Sequence, residues 1–328
     1  MRKVHSAGLI LGVWVLGVCA AAGSAASKAV AKPDPGYLRE VAKWRHDRVA
    51  ELRSEWLPLS GLFWLKPGES TFGSASDNAI VLPKGPAHAG VLVMGSGKNE
   101  GGKVSVRLAP GVAATVNGKR IREAGARETA MLPQPPGPPT VLGLGTLRMH
   151  VIVRGDRGER VGLRLRDLDS PALRAFKGVP TFPLDMQWRV TADWVPSPGR
   201  KIPVMNVLND VMQYESPGLA RFVVGEQTGA QTGGQTGGQT GGQTVTLRAV
   251  AEGDRLFFIF ADGTSGKSTY GAGRYLYSAM PKDGKVILDF NQAFTPPCGF
   301  TPYATCPLPP QENKLKVAIE AGEKYEKR

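Results

Sequence analysis

Along most of this chain, apolar residues fall in short, often alternating runs bounded by glycine, proline and asparagine. That pattern predicts strands. One segment differs. Asp34-Pro35 supplies a capping acid and a first-turn proline, and Leu38, Val41, Ala42, Val49, Leu52 and Trp56 then share one face at helical spacing. A single amphipathic helix is expected over 35–56, ended by Pro58 and packed on a sheet.

From Leu59 to about Asp169 the runs Ala79 to Leu82, Val91 to Met94 and Val104 to Leu108 read as strands. Asn117-Gly118, between Ala113–Val116 and Lys119–Ile121, is a hairpin signal, because both residues tolerate positive φ. A second hairpin is expected where Thr146–Val153 and Val161–Arg166 flank Gly155-Asp156-Arg157-Gly158. In its latter strand Val161, Leu163 and Leu165 alternate with Gly162, Arg164 and Arg166, as in a half-buried strand. Leu132 to Pro139 holds five prolines and reads as a loop. Ser170 to Pro183 looks like a join, after which the strand series resumes from Trp188 to Phe290. The fold class expected is therefore mainly β: two β-sandwich or barrel-like modules, over 57–169 and 175–325, with one N-terminal helix. Within the second, a Gln-Thr-Gly-Gly tract over 227–244 cannot build a core and is expected to be an expanded hairpin loop.

Composition adds little to this picture except at the ends. The 42 glycines and 26 prolines fit many turns. A formal charge of +13 raises the question of nucleic acid, yet Lys and Arg are spread out without a basic run or interleaved aromatics, so no nucleic-acid partner is expected. Met1–Ala26 has Arg2 and Lys3, an apolar stretch from Ala7 to Ala22, and small residues at Gly23-Ser24-Ala25. This reads as a secretory signal peptide cleaved near Ala25 or Ala26, giving a periplasmic or secreted protein with no transmembrane segment afterwards. The alternative, a lipoprotein signal ending at Cys19, wants a small residue where Val18 stands. Cys298 and Cys306 remain after cleavage. In an oxidising compartment the simplest state is a disulfide, with free thiols or a metal site as the other readings.

Candidate chemistry is sparse. Ala261–Ser268 resembles a phosphate-binding loop lacking its first glycine, but a strand rather than a helix is expected to follow. His46, His88 and His150 are far apart, and neither His-Glu-x-x-His nor Gly-x-Ser-x-Gly occurs. No cofactor or metal is expected. Thr71-Phe72-Gly73-Ser74, Asp77 to Leu82, His88 and Val116-Asn117-Gly118 together look a little like a forkhead-associated sandwich over 69–121. Ser74 and Pro86-Ala87 stand where that family would place its phosphothreonine-reading Arg and Ser, so the likeness implies a sandwich and no phosphopeptide binding.

The last third carries a denser set of motifs: Phe260 to Thr264, Thr269 to Leu276, Leu288 to Phe294, Pro296 to Thr301, Ala304 to Pro310, Glu312-Asn313 and Ala321 to Lys324. These strongly resemble the DUF1684 family of uncharacterised bacterial proteins, as do Trp44-Arg45, Trp56 to Leu59, Gly61-Leu62, Trp64-Leu65 and Phe176 to Gly178. The resemblance implies no activity. Read from the residues, Asp262, Thr264, Tyr270, Arg274, Asp289, Asn291 and Asn313 lie at strand ends or turns. They are expected either to pair with one another and cap loops, or to line a polar pocket in which Arg274 holds an anion. The function expected is an exported protein that binds a small molecule or envelope component through this C-terminal site. The alternative is a hydrolase-like enzyme using Asp262, Asp289 and Arg274.

Overall fold

The computed structural model describes residues 32–96, 102–121, 128–134, 137–155, 160–225 and 242–326. The predicted leader with Cys19 and most of the Gln-Thr-Gly-Gly tract lie outside them. The chain is mainly β, with one long helix near the start.

The helix, α1 (Pro35–Glu51), begins as expected: Asp34 Oδ1 accepts from the Gly36 and Tyr37 amides at 2.7 and 3.0 Å. It continues into a π-helical turn, Leu52–Trp56, before Pro58. Val41 and Leu52 are buried, whereas Leu38, assigned to the apolar face, is 44% exposed. Tyr37 and Arg48 take its place in the buried stripe. Each finds a polar partner more than 250 residues away, which apolar periodicity cannot register.

A six-stranded sheet runs in the order Leu59–Trp64, Arg160–Asp167, Leu147–Arg154, Leu142–Leu144, Thr115–Val116, Lys119–Arg120. A five-stranded sheet runs Ile80–Val81, Gly68–Gly73, Gly90–Met94, Val104–Leu108, Thr129–Ala130. Phe72, Leu92 and Val106 of one sheet and Met149, Val151, Leu163 and Leu165 of the other share a single core. Asn117 and Gly118 take φ of 49° and 77° between two-residue strands. The Leu147–Arg154 and Arg160–Asp167 strands pair antiparallel throughout, with His150 opposite Arg164 and Arg154 opposite Arg160. Because side chains alternate, one face of this hairpin supplies the core. The other carries Arg148, His150, Arg154, Arg160, Arg164 and Arg166.

The rest of the chain builds a four-stranded sheet (Gln243–Arg248, Gly218–Val224, Arg189–Pro196, Lys285–Asp289), a three-stranded sheet (Val250–Glu252, Arg255–Phe260, Arg274–Ala279) and the hairpin Lys201–Met205/Val211–Glu215. The strand expected from Thr269 starts only at Arg274. The apolar run of Arg255–Phe260 is buried on both faces, as an unbroken apolar strand should be. Leu256, Phe258 and Phe260 join Phe222, Leu288 and Phe290 in one core. Phe257 and Ile259 join Ile202, Val204, Tyr275 and Phe294 in another. The second core lies beside the arginine-bearing face of the 147–167 hairpin, where Arg154 reaches Thr305 and Arg160 binds Asp210.

Candidate functional site

The residues singled out by motif divide into separate groups. Arg274, 1% exposed, donates to the Asp262 carboxylate, to the Ala321 carbonyl and to the Ile319 carbonyl at 2.8 Å. Asp262 also accepts from the Thr264 amide at 2.8 Å and from its hydroxyl, which in turn meets Thr269 Oγ1 at 2.8 Å. Burial pushes the Arg274 pKa down, and the Asp262 charge opposes that shift. The phosphate-loop look-alike is part of this cluster. Its turns are tied by the Thr264 carbonyl, which accepts from the amides of Lys267, Ser268 and Thr269, and no helix follows.

Asp289 is placed elsewhere. It accepts the Tyr37 hydroxyl at 3.0 and 2.9 Å on its two oxygens, with Asn291 N and Gln292 Nε2 at 3.2 and 3.3 Å and Arg189 Nε at 3.8 Å. Asn291 Nδ2 donates to the same Tyr37 oxygen and to the Asp185 carbonyl. Burial raises the Asp289 pKa despite these donors, and raises that of Tyr37. This group fastens α1 to the Lys285–Asp289 strand. The three residues of the hydrolase alternative therefore do not converge, because Asp289 spends its oxygens on α1 and its own turn. Asn313 accepts from Arg248 N at 2.7 Å and donates to the Arg248 and Ile259 carbonyls, so it ties two strands together. Tyr270 donates to the Cys298 carbonyl at 3.3 Å and packs against Tyr325.

Cys298 and Cys306 form a disulfide with Cα atoms 6.2 Å apart. It closes the segment that carries Ala304 and Thr305, and these residues, with the flanking Pro297 and Pro307, wall a hollow of about 420 Å³. Tyr275, Tyr277, Phe257, Phe294 and Trp56 line the same space, with Tyr277 stacked on Phe257 at 4.8 Å between ring centres. Arg48, Glu51, Arg154, Arg164 and Glu252 also reach it, and an aromatic wall with a limited set of placed polar groups is a feature of small-molecule sites.

The polar groups in this hollow are unequal. Arg48 is matched by Glu323 at 3.2 Å, Glu51 at 2.9 Å and the Thr295 carbonyl at 2.7 Å. Glu51 also accepts from Trp56 Nε1, and Glu252 accepts from the Tyr277 hydroxyl, both at 2.9 Å. Arg154 and Arg164 differ. Among the described residues neither has a carboxylate partner. Arg154 donates to Thr305 Oγ1 at 3.3 Å and to its own strand at the Val153 carbonyl. Arg164 is half-buried, and its buried Nε has no hydrogen-bond partner. Burial, aided by Arg154 and Arg166, brings its pKa down to about 10. The same arginines and its own burial hold His150 down at about 4. A guanidinium drawn partly out of water beside two others is a point at which a bound anion would offset both the burial and the repulsion.

Sequence reading missed Arg154 and Arg164 because alternation assigns the polar face of a strand to solvent. The available signal was chemical: that face holds arginines and one histidine, with no acid in either strand before Asp167 among the described residues.

No curated protein matches the chain. Among solved structures, the solution NMR structure of an uncharacterized protein from Haloarcula marismortui is 28% identical over 47% of this chain and 80% of its own, with a TM-score of 0.35. The forkhead-associated likeness of residues 69–121 is not confirmed. Residues 174–324 match the family described as a protein of unknown function, DUF1684.

Proposed function

We propose that the chain is an exported binding protein whose Arg154–Arg164 hollow takes a small anion with an apolar body. The observation that carries this reading is a pair of arginines without carboxylate partners among the described residues, facing an aromatic wall in a space of about 420 Å³. A carboxylate or phosphate between them would satisfy Arg164 Nε, relieve the repulsion between the two guanidiniums and form charge-assisted bonds. The rings of Tyr277, Tyr275 and Phe257 would cover the apolar body. The cystine that holds the far wall supports export, since such bonds persist in oxidising compartments.

The test is calorimetric titration with benzoate and phenylphosphate against the wild type and Arg164→Met. Wild-type binding that weakens about tenfold or more in the variant supports the reading, as expected for loss of hydrogen bonds from a charged donor. Equal binding by the two proteins, or no binding of either probe by the wild type, overturns it.

A further inference from the structure

A second hollow of about 500 Å³ adjoins the first. Four residues line both: Arg154, Tyr214, Thr305 and Pro307. What separates the two spaces is therefore largely side chain. Arg154 is the charged member of that divider, and its bond across to Thr305 is long, at 3.3 Å. An arginine so held, on a flexible stem, can turn toward an incoming anion without disturbing either strand. The walls beyond it are of another kind. Val153, Val204 and Met212 offer apolar surface, and Asn206 is taken up by Asp210 and by the amides of Leu208 and Asp210.

We infer that the two hollows hold one amphipathic carboxylate, its head between Arg154 and Arg164 and its aliphatic chain laid past Tyr214 and Pro307 toward Val153, Val204 and Met212. This rests on the binding reading above and adds the class of ligand. The argument is one of complementarity. The aromatic hollow contains the cations and the adjoining one contains apolar surface without a further unpaired charge, so charge and apolar area are spread over a length rather than around a point. A compact dianion would leave the second hollow in water. A neutral hydrocarbon would leave Arg164 unmatched.

A homologous series tests it. Linear saturated carboxylates from butanoate to decanoate are titrated into the full chain, with benzoate as a short reference, using the wild type and Met212→Trp. Thermal unfolding confirms that the variant is folded. In the wild type each added methylene tightens binding about threefold to fourfold until the chain leaves the hollow. Met212→Trp fills the second space, so the dependence on chain length flattens beyond the first few carbons while benzoate affinity stays within twofold. Benzoate binding with no chain-length dependence overturns the amphipathic ligand and leaves the anion site standing. A chain-length dependence unchanged in Met212→Trp overturns the path of the chain. Failure of benzoate and every alkanoate to bind overturns the anion site and this inference with it.

Discussion

Two arginine-centred regions of this molecule look alike in sequence and differ in physics. Around Arg274, the guanidinium meets a carboxylate and two carbonyls, and the acid meets a hydroxyl and an amide. Around Arg164, two further arginines and a histidine crowd the charge, no acid among the described residues answers it, and an aromatic cavity lies in front. Burial costs both cations solvation. In the first region the protein offsets that cost from within, which is the mark of a structural pair. In the second the cost is left standing in the free protein, and a ligand is what would offset it. The residues with the denser motifs are the ones that find their partners within the chain.

The contrast predicts opposite responses to removing each arginine. Arg274→Met strands the Asp262 carboxylate in the core and should cost about 3–5 kcal/mol, lowering Tm by roughly 10 °C in calorimetry. Replacing both, with Asp262→Leu added, should recover a large part of that loss, because the uncompensated charge is then gone. If Arg274→Met melts with the wild type, the distinction between the two regions fails at its firmer end.

Acid should act on the second region. His150 has its pKa depressed to about 4 by burial and by Arg164, Arg166 and Arg154. With an unfolded value near 6.5, the neutral imidazole favours the folded state fully above that pH. The contribution disappears as pH falls through 6.5 toward 4, and amounts to up to about 3 kcal/mol. His150→Gln should therefore flatten the fall in Tm between pH 7.5 and 4.5. An unchanged slope would mean that the arginine face is better hydrated than its burial implies.

Severing the disulfide sharpens the comparison, since it touches one region and spares the other. The pair Cys298→Ser and Cys306→Ser should cost roughly 2–3 kcal/mol for a loop of this length. It should also weaken benzoate binding, because the closed segment carries Thr305 of the cavity wall and is flanked by Pro297 and Pro307 of the same wall. A stability loss with benzoate affinity intact would detach the cystine from the site.

How much of this was legible beforehand depended on how local the cause was. The helix start at Asp34-Pro35, the Asn117-Gly118 turn, the alternation of Val161, Leu163 and Leu165 and the strand at Leu256 to Phe260 are set by neighbours in sequence. They read correctly. The seating of α1 was misread because Tyr37 and Arg48 bury polar atoms, which is favourable only once Asp289 and Glu323 arrive from the other end of the chain. The cavity was invisible for the same reason at larger scale. Arg164 belongs to a hairpin whose outward face reads as solvent-exposed, and it becomes a pocket only when the 297–307 segment closes over it.

The smallest expected change is the most telling. Arg164→Met removes a charge that has no acidic partner among the described residues and sits beside Arg154 and Arg166. A solvated arginine would be lost at little consequence, within about 0.5 kcal/mol. A half-buried one repelled by its neighbours should give no loss at all, and Tm should stay level or rise by a degree or two as the repulsion and the desolvation vanish. Raising salt should lift the wild type and leave the variant nearly unmoved, since mobile ions screen what the substitution removes. A Tm that drops by several degrees would show that Arg164 holds the structure together as Arg274 does, and the two regions would then be one kind of site.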